Sequence, residues 1–128
     1  MDTTESARIL VVDDERVIRE ILAEFLALEG FSVHTVEDGE KALTELRLRP
    51  YDLLITDLKM PGMDGLSVIR ETRRQFADLP IIIITAYSTE ASAIEAINLG
   101  VSGYLTKPFR MERVLAVAAR ALGEPAAV

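Results

Sequence analysis

A chain of 128 residues with no cysteine and one histidine, His34, leaves its chemistry to carboxylates, hydroxyls and amines. Thiol nucleophiles, disulfide frameworks, cysteine-based zinc sites and histidine-rich metal sites fall away with those absences. The chemistry that remains is concentrated at Asp13-Asp14-Glu15, Asp57, Thr85 and Lys107-Pro108, with Tyr104 three positions before the lysine. Each has an ordinary explanation alone. Aspartates cap helices and complement the helix dipole, and an aspartate shortly before Met60-Pro61-Gly62 suits an Asx turn. A threonine also caps helices, and a lysine is commonly a solvated charge. Brought to one point, the same groups make a site for an oxygen-liganded cation and for phosphoryl transfer to a carboxylate. Whether they meet depends on the elements that carry them.

Short apolar runs alternate five times with stretches of helical period, the pattern of an α/β sheet. Ile9–Val12, Leu53–Ile55 and Ile81–Ile84 are continuously apolar, as strands covered by helices on both faces must be. Phe31–Val36 partly alternates, and Val101–Leu105 is short and broken by small polar residues, so these read as edge strands. The first helical stripe is Ile18, Ile21, Leu22 and Phe25, closed by Gly30. The second runs from about Asp38 to Arg49 with Leu43 and Leu46 inward, and Pro50 stops it. The third uses Leu66, Ile69 and Phe76, and the fourth uses Ala93, Ile94 and Ile97 before Gly100. The fifth uses Met111, Val114, Leu115, Ala118 and Leu122, leaving Val117 and Ala121 beyond the stripe for a partner or a second copy. Three central strands and two edges give the order 2-1-3-4-5 with right-handed crossovers. That is a flavodoxin-like (βα)5 three-layer sandwich, whose ligands bind beyond the carboxyl ends of strands one and three.

Those ends are where the chemical residues stand. Strand one runs into Asp13-Asp14-Glu15, strand three into Asp57, strand four into Thr85 and strand five into Lys107. Two carboxylates about 4 Å apart repel by roughly 4 kcal/mol at an effective dielectric near 20. Three therefore require protonation or a counter-charge, and Lys107 supplies one positive charge only. A divalent ion completes the balance, and a few-carboxylate site with room for water and phosphate suits Mg2+ better than Ca2+. A carboxylate beside such an ion, with a hydroxyl and a lysine aimed at the same point, is equipped to become an aspartyl phosphate.

At these residues the sequence resembles the receiver domain of bacterial two-component response regulators, from Ile9 through Leu122. The resemblance rests on Val11-Val12-Asp13-Asp14-Glu15, on Thr56-Asp57 through Gly65, on Ile84-Thr85-Ala86 and on Tyr104-Leu105-Thr106-Lys107-Pro108-Phe109. It implies that Asp57 accepts a phosphoryl group from a sensor histidine kinase or a histidine phosphotransfer protein. Asp14, Asp57 and the backbone carbonyl of Lys59 would bind Mg2+ directly, with Asp13 acting mainly through a coordinated water. Lys107 would pair with the phosphoryl oxygens across a cis bond to Pro108. Thr85 and Tyr104 would form the switch pair, reporting to the face of the fourth helix, fifth strand and fifth helix. Lys59 and Tyr87, each two residues beyond a site residue, flank the path of an attacking water; Lys59 reads equally well as a solvated loop charge.

Composition bounds the partners. With 14 basic and 21 acidic residues the net charge is −7, which repels nucleic-acid backbone and anionic membrane. The first eight residues hold no apolar leader segment, and the expectation is a cytoplasmic protein. One domain over 1–128 is expected, with 123–128 of linker-like composition. Its partners are then a kinase, an effector protein or domain, and a possible second copy through the fourth-helix face. A phosphatase of the haloacid dehalogenase type would want an acidic residue where Lys59 stands, and a flavin phosphate would want glycines and hydroxyls at 13–15. A receiver serving as a docking module without phosphorylation is disfavoured by the complete acidic set.

Overall fold

The computed structural model describes residues 6–123. Ten elements alternate strictly along them. The strands are β1 (Arg8–Val12), β2 (Ser32–Val36), β3 (Leu53–Thr56), β4 (Ile81–Thr85) and β5 (Gly103–Thr106). The helices are α1 (Arg16–Leu28), α2 (Gly39–Leu48), α3 (Gly65–Gln75), α4 (Glu90–Asn98) and α5 (Met111–Ala121). All neighbouring strands pair in parallel in the order β2-β1-β3-β4-β5, which is the topology read from the apolar runs. The expected leader-free start falls in part, at 1–5, outside the described residues. So does the linker-like tail from 124 onward.

Strand alternation divides the core in two. Leu10, Val12, Leu54, Ile81 and Ile83 face α2, α3 and α4, while Ile9, Val11, Leu53, Ile55, Ile82 and Ile84 face α1 and α5. The isoleucines of β4 are at most 1% exposed, and burying each such side chain contributes about 1.5–3 kcal/mol before chain entropy is counted. Helix starts are fixed by side chains: Asp38 accepts from Lys41 N–H at 2.9 Å and Asp64 from Ser67 N–H at 2.8 Å. Thr89 and Ser92 form a reciprocal capping box at α4.

Four of the five helical stripes need correction in detail. On α1 the buried pair is Leu22 and Leu26, and Phe25 is 41% exposed, because a straight helix rotates 100° per residue and the core lies one position further on. Phe76 is not part of α3; it follows the helix as its C-cap and is exposed. On α4 the inward residue is Ala96, whereas Ile94 and Ile97 face solvent. On α5 Val117 is buried and packs against Gly103, where an added Cβ would lie 2.5 Å from a Val117 methyl. The glycine of β5 thus makes the space that Val117 fills, and Ala121 also packs against the core. Val117 therefore forms no free surface, and Ala121 stays half-buried.

Candidate functional site

The rim at the carboxyl ends of β1, β3, β4 and β5 gathers the chemical residues. Asp13 and Asp14 follow β1 directly, and Asp57 follows β3 with its own N–H bonded to the Val12 carbonyl at 3.1 Å. That bond locks the two carboxylate-bearing strand ends side by side. Gly65, at the start of α3, lies against the Asp57 backbone so closely that a Cβ there would collide with the Asp57 carbonyl. Its N–H donates to the Leu58 carbonyl at 2.7 Å, closing the loop that carries Lys59 to Asp64 back beneath the site. Any side chain at 65 would push the Asp57 loop away.

Carboxylate oxygens of Asp13, Asp14 and Asp57 all lie within 4.8 Å of one another, a candidate divalent-cation site. Asp13 and Asp57 are buried and Asp14 is exposed. One Asp57 oxygen accepts from Leu58 N–H at 2.6 Å, and the other accepts from Lys107 Nζ at 2.9 Å. Asp13 has both oxygens engaged, one by Glu15 N–H at 2.8 Å and the other by Lys107 at 2.9 Å. Asp14 lines the cleft beside Asp57, with Glu15, Lys59, Met60 and Tyr87 around it, in a volume of about 470 Å³. An all-oxygen donor set around an open cleft fits a hard cation that keeps several waters.

Electrostatics follow from this crowding. Burial pushes the Asp13 carboxyl up; hydrogen bonds from Lys107 and Glu15 N–H oppose that rise, the Asp57 charge adds to it, and the net displacement is upward. Burial also disfavours the Lys107 ammonium, but its hydrogen bonds to Glu15, Asp13 and Asp57 outweigh that and hold its pKa above the ordinary lysine value. The lysine is held from behind too: its N–H donates to the Thr85 carbonyl at 2.9 Å, and the Lys107–Pro108 bond is cis, as the resemblance implies.

Thr85 is fully buried at the end of β4, and its hydroxyl accepts from Tyr87 N–H at 3.0 Å. Tyr104 pairs with Ile83 and Thr106 with Thr85 in the parallel register. Thr85 and Tyr104 therefore share one face of the sheet, a single diagonal step apart. The Tyr104 hydroxyl donates to Ser88 Oγ at 2.9 Å and lies 3.2 Å from Ser92 Oγ, tying β5 to the approach and first turn of α4. Lys59 and Tyr87 meet across the cleft, with Lys59 Nζ 4.8 Å from the ring centroid. His34 stands on β2, at the opposite edge of the sheet from β5, with Glu45 3.8 Å away.

Sequence reasoning gave no role to Glu15, and the structure does. Its Oε1 lies 2.7 Å from Lys107 Nζ, making it the third carboxylate on that ammonium. The only sequence signal was its adjacency to Asp13-Asp14. Which of three consecutive acids reaches a lysine 92 positions away depends on side-chain length and direction.

The response regulator receiver domain family matches residues 9–119 of the chain. Response regulator MprA of Mycobacterium tuberculosis is 41% identical over 111 residues, 87% of this chain and 48% of the relative. The chain thus spans about half the length of the curated relatives it matches. Among solved structures, the chemotaxis response regulator CheY4 of Vibrio cholerae superposes with a TM-score of 0.84 at 31% identity, covering 91% of this chain and 99% of that one. Response regulator protein TrrA of Thermotoga maritima, solved in complex with Mg(2+)-BeF, superposes with a TM-score of 0.82 at 40% identity, covering 90% and 98%. Sequence and fold lead to one conclusion: the chain belongs to the response regulator receiver domain family.

Proposed function

We propose that Asp57 accepts a phosphoryl group from the phosphohistidine of a sensor histidine kinase or a histidine phosphotransfer protein, as a step in two-component signalling. The observation that carries this is the Asp57 carboxylate, 3% exposed yet lining an open cleft, fixed on Lys107 and flanked by two more aspartates. An Asp57 oxygen attacks phosphorus as the phosphorus–nitrogen bond breaks, the partner's imidazole leaves with the bonding electrons, and an acyl phosphate remains on Asp57. The donor imidazole comes from the partner, because His34 stands at the far edge of the sheet.

Asp14, Asp57 and the backbone carbonyl of Lys59 would hold Mg2+, with Asp13 acting through a coordinated water. Bound there, the ion supplies charge neutralisation on the phosphoryl oxygens. Lys107 pairs with one of those oxygens and Thr85 donates its hydroxyl to another. Movement of Thr85 and Tyr104 then alters the α4 start that Tyr104 holds through Ser88 and Ser92. The protein catalyses only its own phosphorylation and slow dephosphorylation. Its output is an effector protein or domain, or a second copy, met through α4, β5 and α5, where Ile94 and Ile97 are exposed. This receiver domain works in the cytoplasm and itself contacts neither nucleic acid nor membrane.

Incubation with a small phosphodonor and Mg2+ tests the reading by intact mass. Wild type is expected to gain one labile phosphoryl group, and Asp57→Asn none. Equal gain in both would end it.

A further inference from the structure

An ammonium has three N–H donors, and those of Lys107 are matched by three carboxylates: Asp13 at 2.9 Å, Asp57 at 2.9 Å and Glu15 at 2.7 Å. The three partners are unequal. The side chains of Asp13 and Asp57 are 3% exposed, and that of Glu15 is 60% exposed. Glu15 occupies the N-cap of α1, yet its side chain makes no capping hydrogen bond. It reaches along the cleft wall to the lysine instead.

We propose that Glu15 is a displaceable stand-in for the phosphoryl group: it holds the third donor of Lys107 while Asp57 is unmodified and yields that donor to a phosphoryl oxygen. The inference rests on the phosphoacceptor reading of Asp57. A phosphoryl group there brings new acceptor oxygens to a lysine whose donors are all engaged, so one existing bond must open. Opening the Glu15 bond returns a carboxylate to water. Opening the Asp13 bond leaves a buried carboxylate without its partner, which is the costlier choice, and the Asp57 bond passes only to the group that Asp57 itself then carries, leaving the other phosphoryl oxygens to compete for the donor that Glu15 holds. Departure of Glu15 from Lys107 also moves negative charge away from the cleft as an anion enters. Glu15 is thus a positioning residue that acts through Lys107, keeping the ammonium aimed at Asp57 and competing with any anion for it.

Beryllofluoride, an anionic phosphoryl mimic, measures that competition directly. Its affinity is read by calorimetry at saturating Mg2+ in wild type, Glu15→Gln and Glu15→Asp. Glu15→Gln is expected to bind it about twofold to fivefold more tightly, the range an exposed ion pair spans. Glu15→Asp keeps the charge but is one methylene too short for Lys107, and is expected to bind more tightly as well. Affinity for Mg2+ alone is expected to stay level or fall in Glu15→Gln, since a negative charge has left the cleft, so the two affinities separate. Unchanged or weakened beryllofluoride binding in Glu15→Gln overturns the proposal. So does a Glu15→Asp indistinguishable from wild type, because the gain would then come from net charge. A wild type that binds no beryllofluoride with Mg2+ overturns the phosphoacceptor reading and this inference together, whereas equal binding by all three proteins overturns the inference alone.

Discussion

In the proposed reading the carboxylates set where a phosphoryl group is made, and the residues across the cleft from them set how long it lasts. Lys59 and Tyr87 form one contact, an ammonium 4.8 Å from a ring centroid, over the cleft that Asp57 lines. At an exposed position such a pair is held by about 0.5–1 kcal/mol, enough to keep two long side chains together for most of the time. In the proposed reading this contact flanks the path of water to an acyl phosphate on Asp57. Tyr87→Ala and Lys59→Asn are each expected to shorten the phosphoryl lifetime by about twofold to fivefold, the kinetic equivalent of that energy. The double variant is expected to be no faster than the faster single, because either change opens the same contact. Lifetimes measured after removal of the donor check this, and values equal to wild type would return Lys59 to an ordinary solvated charge. The site was legible in the sequence at this scale where a residue's chemical type and its place at a strand end were enough, as for Asp13, Asp57, Thr85 and Lys107. It was not legible for Glu15 or for the Lys59–Tyr87 contact, which depend on where long side chains turn after the backbone has placed them.

At the scale of elements, the sheet and α4 stand at opposite ends of one range. The central strands were readable because burial on both faces allows only apolar residues, and Ile81 to Ile84 leave no choice of period. On α4 only Ala96 is buried, so an apolar stripe was never what held this helix. Polar contacts at its two ends do so. At the start are the Thr89–Ser92 box and the Tyr104 hydroxyl; along it, Arg70 pairs with Glu95. At its end Arg73 of α3 donates to the Leu99 and Gly100 carbonyls at 2.8 and 3.1 Å, and to Leu79 and Phe76 carbonyls at 2.7 and 3.2 Å. One guanidinium therefore satisfies carbonyls at the ends of two helices and the loop before β4. Arg73→Met, which keeps the stem and loses the donors, is expected to lower stability by about 1.5–3 kcal/mol. Arg73→Lys, unable to reach all four oxygens, is expected to fall between. Urea unfolding gives the energies, and hydrogen exchange at Leu99 to Val101 shows whether the loss is local. A change below about 0.5 kcal/mol, the level of an ordinary surface substitution, would mean that α4 is anchored by something else.

For the whole molecule, a net charge of −7 matters less than where the charge is concentrated. Four acids, Asp13, Asp14, Glu15 and Asp57, share one rim with the ammonium of Lys107, and Lys59 lines the same cleft. The upward displacement of Asp13, from burial first and with the Asp57 charge adding to it, marks a cost of folding that sits on this carboxylate, set against the pairing that holds the Lys107 pKa up. A cation that binds this arrangement and not the unfolded chain returns that cost as stability. By mass action Mg2+ at a hundred times its dissociation constant adds about 2.7 kcal/mol, and for a domain of this size each kcal/mol is on the order of 3–6 °C in Tm. Thermal melting across a Mg2+ titration is therefore expected to rise by several degrees or more. Asp14→Asn removes an exposed member of the cluster, so it is expected to melt higher than wild type without Mg2+ and to respond less when Mg2+ is added. The two curves should converge or cross as the ion concentration increases. A parallel titration with NaCl at matched ionic strength separates specific binding from screening of the overall charge. If NaCl raises Tm as far as Mg2+ does, or if Asp14→Asn keeps the full magnesium response, the rim holds no bound divalent ion and its acids balance on the protein's own cations.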